Sequence, residues 1–121
     1  MNIRTLEREN NIVLLKLEGV LDYYGTLELK QAVNECIDEA SPLEHLVFDV
    51  DNVNFIGSCG IGFFLSLMSR LKCANGDLII VCKKHELLNL FKVTQLTKFI
   101  DCHYDVTSLF SELGIKNRTV A

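Results

Sequence analysis

The chain has 121 residues, of which 49% are apolar and 23% are charged, and its formal net charge is −4. This composition fits one globular domain with a sizeable core and excludes a disordered chain. The 12 Lys and Arg residues are scattered, which argues against a nucleic-acid footprint, and no apolar run approaches the ~20 residues of a membrane span. The start of the sequence does not resemble a signal peptide, so we expect a soluble cytoplasmic protein with no membrane or nucleic-acid partner.

The cysteines and histidines do not form the patterns of disulfide frameworks or metal sites. The five cysteines are widely spaced without a C-x-x-C pair: Cys36, Cys59, Cys73, Cys82 and Cys102. The three histidines, His45, His85 and His103, are equally dispersed. The sequence therefore predicts free thiols, no metal and no cofactor.

The first forty residues predict a hairpin followed by a helix. Two strand-like runs, 3–8 and 12–18, are separated by the polar break Glu9-Asn10-Asn11, which suits a hairpin turn. The second run is apolar nearly throughout, which is typical of a strand covered on both faces. From 25 to 40 the apolar residues recur at helical spacing, and Ser41-Pro42 ends the helix.

A strand at 46–50 is followed by a turn of small residues and a helix that starts near Ser58. The predicted core stripe of this helix consists of Ile61, Phe64, Leu65, Met68 and Leu71. Phe63 and Leu67 lie off the stripe. Phe63 is part of a second buried side of the helix, a single exposed apolar residue without a role, or part of a partner surface beside Ser58.

The rest of the chain alternates strands and helices: a strand at 78–82, a helix at 85–93, a short strand at 99–103 and a last helix through Leu113. Asp105 or Thr107 is suited to cap that last helix. The order predicts an α/β fold: a single domain over 1–115 with a mixed, mostly parallel sheet, an N-terminal antiparallel hairpin and about four helices, followed by a polar tail at 116–121.

The turn Gly57-Ser58-Cys59-Gly60-Ile61-Gly62 carries the most informative chemistry. Ser58 is interpreted either as an N-cap, worth ~1 kcal/mol, or as an accessible hydroxyl that accepts a phosphate at a helix N-terminus. Cys59 is either a small buried residue of the first turn or an oxidisable thiol. Catalysis is disfavoured because the G-x-S-x-G elbow is absent and no histidine is near in sequence, which leaves only a base brought close by folding, His85 or His103. The glycines do not complete G-x-G-x-x-G either.

Three motifs give the chain a resemblance to STAS domains of the anti-sigma factor antagonist family. The turn at 57–62 is similar to the family's D-S-S-G-[LI]-G, and Leu17-Glu18-Gly19-Val20-Leu21-Asp22 is similar to L-x-G-x-L-D. The run at 90–99 resembles L-[LF]-x-x-[ST]-G-L-x-x-[LF]. Element order and length also match, so the resemblance covers essentially the whole chain.

The resemblance implies a non-enzymatic partner switch. Such a protein binds an anti-sigma factor that is also a serine kinase, is released when the first serine of the turn, here Ser58, is phosphorylated, and is reset by a PP2C-type phosphatase. It also implies a partner-binding surface formed by Asp22, Gly57, Ser58, Cys59, Gly60, Ile61, Gly62 and Phe63. The family's acidic residue and second serine are Gly57 and Cys59 here, and its later glycine is Gln95. These departures leave open a STAS module that docks its partner without a phosphorylation cycle.

Overall fold

The computed structural model describes residues 1–9, 11–39 and 43–113. Its five strands are β1 (Asn2–Glu9), β2 (Ile12–Leu21), β3 (His45–Ile56), β4 (Asp77–Val81) and β5 (Asp101–His103). Its four helices are α1 (Tyr23–Glu39), α2 (Ser58–Cys73), α3 (His85–Val93) and α4 (Val106–Glu112), with one turn of 3-10 helix at Leu96–Lys98.

The strands form one sheet in the order β1-β2-β3-β4-β5. β1 pairs with β2 antiparallel, and every later pair is parallel. Parallel neighbours need a crossover connection, which α1, α2 and α3 with the 3-10 turn supply between successive strands. The predicted fold class, a mostly parallel mixed sheet with an N-terminal hairpin and four helices, is confirmed.

Helices cover the two faces of the sheet unequally. One face carries the larger core, where α1, α2 and α3 contribute side chains such as Leu29, Phe64 and Phe91. The other face presents five aliphatic side chains, which pack against Leu109 and Phe110 of α4: Ile12, Leu14, Val47, Ile79 and Val81. Alternation along β2 therefore serves both cores, as the apolar run at 12–18 predicts.

The strands that lead to the Ser58 turn are longer than predicted. β2 extends to Leu21 and β3 to Ile56, whereas the apolar runs end at 18 and 50. The two strands stay paired to the end, with Leu21 opposite Ile56, so backbone hydrogen bonding continues through polar residues. α1 likewise begins at Tyr23 rather than Gly25.

The predicted core stripe of α2 is wrong about Leu67, which lies off the stripe and is buried. Ile61 and Leu65 of the stripe are partly buried and pack against the core. The helix contacts α1 as well as the sheet, so its buried side is broader and rotated relative to a single stripe.

The last predicted strand and helix also shift. Phe99 ends the 3-10 turn and is exposed, and β5 begins only at Asp101. Asp105, rather than Thr107, caps α4: its Oδ1 accepts a hydrogen bond from Ser108 N at 2.7 Å, which lowers the pKa of that carboxyl. The predictions for Asn10, for the helix end at 40–42 and for the tail at 116–121 lie outside the described residues.

Within the described ranges, none of the helices has the length and apolar character needed to cross a bilayer.

Candidate functional site

Ser58 is the first residue of α2 and its side chain is exposed. The N-cap position belongs to Gly57, whose backbone is extended and which offers no side chain to the helix. The interpretation of Ser58 as an N-cap is therefore wrong. The first intrahelical bond runs from Ile61 N to Gly57 O at 3.1 Å, so the N–H groups of Ser58, Cys59 and Gly60 precede the ladder. A helix N-terminus of this kind favours negative charge.

The turn is attached to the end of β2. Gly57 N donates to the carbonyl oxygen of Leu21 at 3.0 Å. Gly60 is buried against the same residue: an added Cβ would lie 3.3 Å from the Leu21 oxygen and 3.0 Å from Cγ2 of Ile56. Gly60 thus allows the first turn of α2 to pack closely against the end of β2.

The N-termini of α1 and α2 lie side by side, because Leu21 and Ile56 are paired on adjacent parallel strands. Asp22 caps α1, since its Oδ1 accepts a hydrogen bond from Gly25 N at 2.8 Å. Gly25 passes so close to β2 that an added Cβ would overlap the carbonyl oxygen of Val20. The predicted partner-binding residue Asp22 therefore has a structural role beside the turn.

Exposed apolar side chains surround the turn. We call this surface the Ser58 face: Ser58 together with Val20, Tyr23, Tyr24, Leu27 and Phe55. Val20 is paired with Phe55 across the two strands, and the Tyr23 and Tyr24 rings meet edge to face with centroids 5.5 Å apart. Tyr24 is 73% exposed and Phe55 53%. Exposed aromatic side chains of this kind are enriched at protein-binding surfaces.

The glycine that replaces the family's acidic residue is explained by Phe55. A Cβ added to Gly57 would lie 3.1 Å from Cε2 of the Phe55 ring. The ring therefore lies directly against the turn, and a side chain at position 57 would require it to shift by a few tenths of an ångström.

The other predicted site residues divide into surface and interior positions. Cys59 is exposed, so its interpretation as a small buried residue is wrong. Gly62 is exposed as well. Ile61 and Phe63 are partly buried and pack on the larger core, and the Lys30 ammonium lies 5.8 Å from the Phe63 ring centroid. Phe63 is thus both partly core and partly surface.

Two of the three histidines contact carboxylates. His45 begins β3, a whole strand away from Ser58, and its Nδ1 lies 2.7 Å from Oδ1 of Asp77. His103 Nδ1 lies 3.4 Å from Oε2 of Glu112. Within residues 1–9, 11–39 and 43–113, three or more His, Cys, Asp or Glu side chains do not gather as metal ligands.

Sequence reasoning missed Gly25 and most of the Ser58 face. The available signal was the pair Tyr23-Tyr24, which follows the L-x-G-x-L-D motif and does not fit the apolar stripe of α1. Phe55 gave no such signal, because its neighbours Asn52 and Asn54 resemble a loop.

The fold agrees with what comparison with known proteins shows. The STAS domain model matches residues 4–110, so the chain belongs to the STAS domain family. The anti-sigma F factor antagonist of Paenibacillus polymyxa is 21% identical over 116 residues, which cover 95% of this chain and 98% of that protein. The anti-sigma-B factor antagonist of Bacillus subtilis (strain 168) is 26% identical over 102 residues, covering 84% and 91% of the two chains.

Solved structures share the architecture. The anti-sigma factor antagonist SpoIIAA in its unphosphorylated form superposes with a TM-score of 0.74 at 19% identity, covering 96% of this chain and 98% of that one. The Bacillus cell fate determinant SpoIIAA in the phosphorylated form gives a TM-score of 0.70 at 15% identity, with 93% and 99% coverage. These likenesses establish the STAS fold.

Proposed function

We propose that this protein is an anti-sigma factor antagonist of a partner-switching circuit in the cytoplasm. Unphosphorylated, it binds an anti-sigma factor that is also a serine kinase; phosphorylation at Ser58 releases it, and a PP2C-type phosphatase restores it. The observation that carries this proposal is the exposed Ser58 hydroxyl among exposed apolar side chains, on the first residue of a helix. The names of the two curated relatives, and the phosphorylated form in which SpoIIAA has been solved, support it.

The two effects of a phosphate at Ser58 are opposite in sign. It would add about −1.5 to −2 charges beside free backbone N–H groups, where the helix dipole stabilises negative charge by roughly 0.3–1 kcal/mol. The domain therefore stays folded. The same charge would stand within an apolar surface that a partner must desolvate, which opposes docking. The switch thus acts on the complex and spares the fold.

The proposed partner-binding residues contribute in different ways. Ser58, Cys59 and Gly62 are exposed and Phe63 is half-buried, so we assign them to direct contact. Asp22, Gly57, Gly60 and Ile61 hold the backbone and the first turn of α2 in place.

A second candidate function is a STAS module that docks its partner without a phosphorylation cycle. The observation that favours it is Gly57, which brings the Phe55 ring against the turn where the family has an acidic side chain. In that case the Ser58 face is permanently a docking surface.

The experiment that tests the switch measures affinity for each purified anti-sigma factor kinase of the same genome. Ser58→Asp and Ser58→Ala are compared with the wild type and with Ser69→Asp, which adds the same charge at an exposed position farther along α2. We expect Ser58→Asp to lose at least tenfold in affinity, whereas Ser58→Ala and Ser69→Asp bind normally. Incubation with kinase and ATP should add one phosphoryl group to the wild type and none to Ser58→Ala.

The outcomes separate the two candidates. Normal binding by Ser58→Asp together with no phosphorylation favours the module without a cycle. Failure of the wild type to bind any of these kinases contradicts the switch.

A further inference from the structure

A pocket of about 260 Å³ opens between α1 and α2 next to the Ser58 face. α1 contributes Tyr23, Leu27 and Lys30 to its walls, and α2 contributes Cys59 and Phe63. Tyr23 and Leu27 belong to the Ser58 face, so the pocket is continuous with that surface. Its volume suits one side chain of a docked protein.

The pocket owes its depth to Gly62. A Cβ added at this position would have no heavy atom within 4 Å, so the helix surface is open there. Glycine in a helix interior is otherwise unfavourable by roughly 0.5–1 kcal/mol relative to alanine. Gly62 therefore costs helix stability while it keeps space beside Ser58 available.

A buried hydroxyl lies at the floor of the pocket. Thr26 is only 3% exposed, and its Oγ1 has no hydrogen-bond partner among the described residues. An unpaired buried hydroxyl is unfavourable, and a helical threonine divides its time between two χ1 rotamers. Rotation about χ1 turns this donor toward the cavity, where an acceptor would satisfy it.

A positive charge stands at the rim. Lys30 lies on the exposed side of α1 with its ammonium 5.8 Å from the Phe63 ring centroid, and in the described part of the chain no carboxylate pairs with it. The pocket thus combines apolar walls with a hydroxyl donor below and an ammonium donor above. Both donors call for an anionic acceptor.

We propose that this pocket receives a carboxylate-bearing side chain, a glutamate or aspartate, of the protein that docks on the Ser58 face. The methylene groups of that side chain pack on Phe63 and Leu27, and its carboxylate accepts hydrogen bonds from Lys30 Nζ and Thr26 Oγ1. The assignment rests on the proposed function, because the occupant belongs to the same anti-sigma factor kinase. This contact would add specificity for the partner to the Ser58 face.

The experiment blocks the pocket without touching Ser58. Gly62→Leu fills the cavity from a position where a side chain meets no neighbour, and Asn89→Leu adds the same apolar bulk at an exposed position of α3 as a control. Affinity for each purified anti-sigma factor kinase is measured by titration calorimetry, and thermal unfolding verifies that each variant is folded. We expect Gly62→Leu to bind at least 30-fold more weakly and Asn89→Leu to bind like the wild type.

Two further variants test the chemistry of the occupant. Lys30→Met keeps most of the aliphatic stem and removes the charge, and should weaken binding about tenfold while reducing its salt dependence. Thr26→Val removes the unpaired hydroxyl at nearly constant volume, and should weaken binding several-fold while raising the unfolding temperature. Unchanged affinity in Lys30→Met and Thr26→Val would refute a carboxylate occupant.

The results distinguish this inference from the proposed function. If Ser58→Asp loses binding while Gly62→Leu binds normally, the pocket assignment is wrong and the switch stands. If Gly62→Leu and Lys30→Met both lose binding while Ser58→Asp does not, the pocket stands without the switch. If the wild type binds none of the kinases, both are wrong.

Discussion

Replacement by alanine should change the stability of the protein in opposite directions at Gly25 of α1 and Gly62 of α2. In Gly25→Ala the new Cβ would overlap the carbonyl oxygen of Val20 and lie 3.2 Å from its carbonyl carbon. Both atoms belong to the main chain of β2, so relief requires a shift of the strand end or of α1. Overpacking of this kind costs typically 1–3 kcal/mol, and we expect about 3 kcal/mol because no flexible side chain can yield.

Gly62→Ala places its Cβ in open space within α2, so only the helix preference changes. We expect a gain of roughly 0.5–1 kcal/mol in the free energy of unfolding. The two variants should then differ by about 4 kcal/mol, which for a domain of this size corresponds to roughly 15 °C in Tm.

Urea denaturation followed by circular dichroism measures both changes, with thermal unfolding as a second probe. Gly60→Ala serves as an intermediate case, because its new Cβ would lie 3.0 Å from Cγ2 of the buried Ile56 side chain and 3.3 Å from the Leu21 carbonyl oxygen, which is tight but less severe than the overlap at Gly25. The expected order of stability is Gly62→Ala, wild type, Gly60→Ala, Gly25→Ala. A Gly25→Ala variant as stable as the wild type, or a destabilised Gly62→Ala, would refute the close approach of α1 to β2 and the open surface of α2.

Two further predictions concern backbone strain and thiol chemistry. Gln95 has a left-handed backbone with φ of 62°, which is unfavourable for a residue with a Cβ. Gln95→Gly removes this strain but gives the unfolded chain more entropy, so we expect the free energy of unfolding to rise by about 0.5 kcal/mol. A loss of stability in urea denaturation would contradict this. Burial raises the pKa of Cys82 and of Cys102 to about 11, so at pH 8 both stay protonated, whereas Cys59 and Cys73 are exposed. Iodoacetamide should modify Cys59 and Cys73 first in the native protein. Equal labelling of Cys82, measured by peptide mass, would contradict the burial of its thiol.

The order of elements followed from the sequence because β2, β3 and β4 each contain an apolar run and the longer helices carry apolar residues at helical spacing. The ends of the strands could not be predicted from the sequence, because they are determined by pairing with a neighbouring strand. Asn52 pairs with Glu18 and Phe55 with Val20, which keeps both strands extended through residues that would suit a loop. The length of each strand therefore depends on its partner strand as well as on its own sequence.

The candidate site was predicted in part. The motif located Ser58, Gly57 and Asp22, and the structure brings them to one edge of the sheet. The apolar side chains around Ser58 come from separate segments, so their proximity depends on the register of β2 against β3. Cys59 shows the same limit: its position in the first turn of α2 was evident, but its exposure depends on which side of the helix α1 covers.

The coverage of the second sheet face by α4 has a consequence for how the protein is made. Five aliphatic side chains from β2, β3 and β4 depend on a helix of seven residues that follows every strand in the chain. During synthesis the sheet can assemble with its larger core while this face still lacks its cover. Until α4 docks, the nascent domain exposes a flat aliphatic surface, which is the kind of surface that chaperones bind and that promotes aggregation. The quality of the short α4 contact therefore governs how long the newly made protein remains vulnerable.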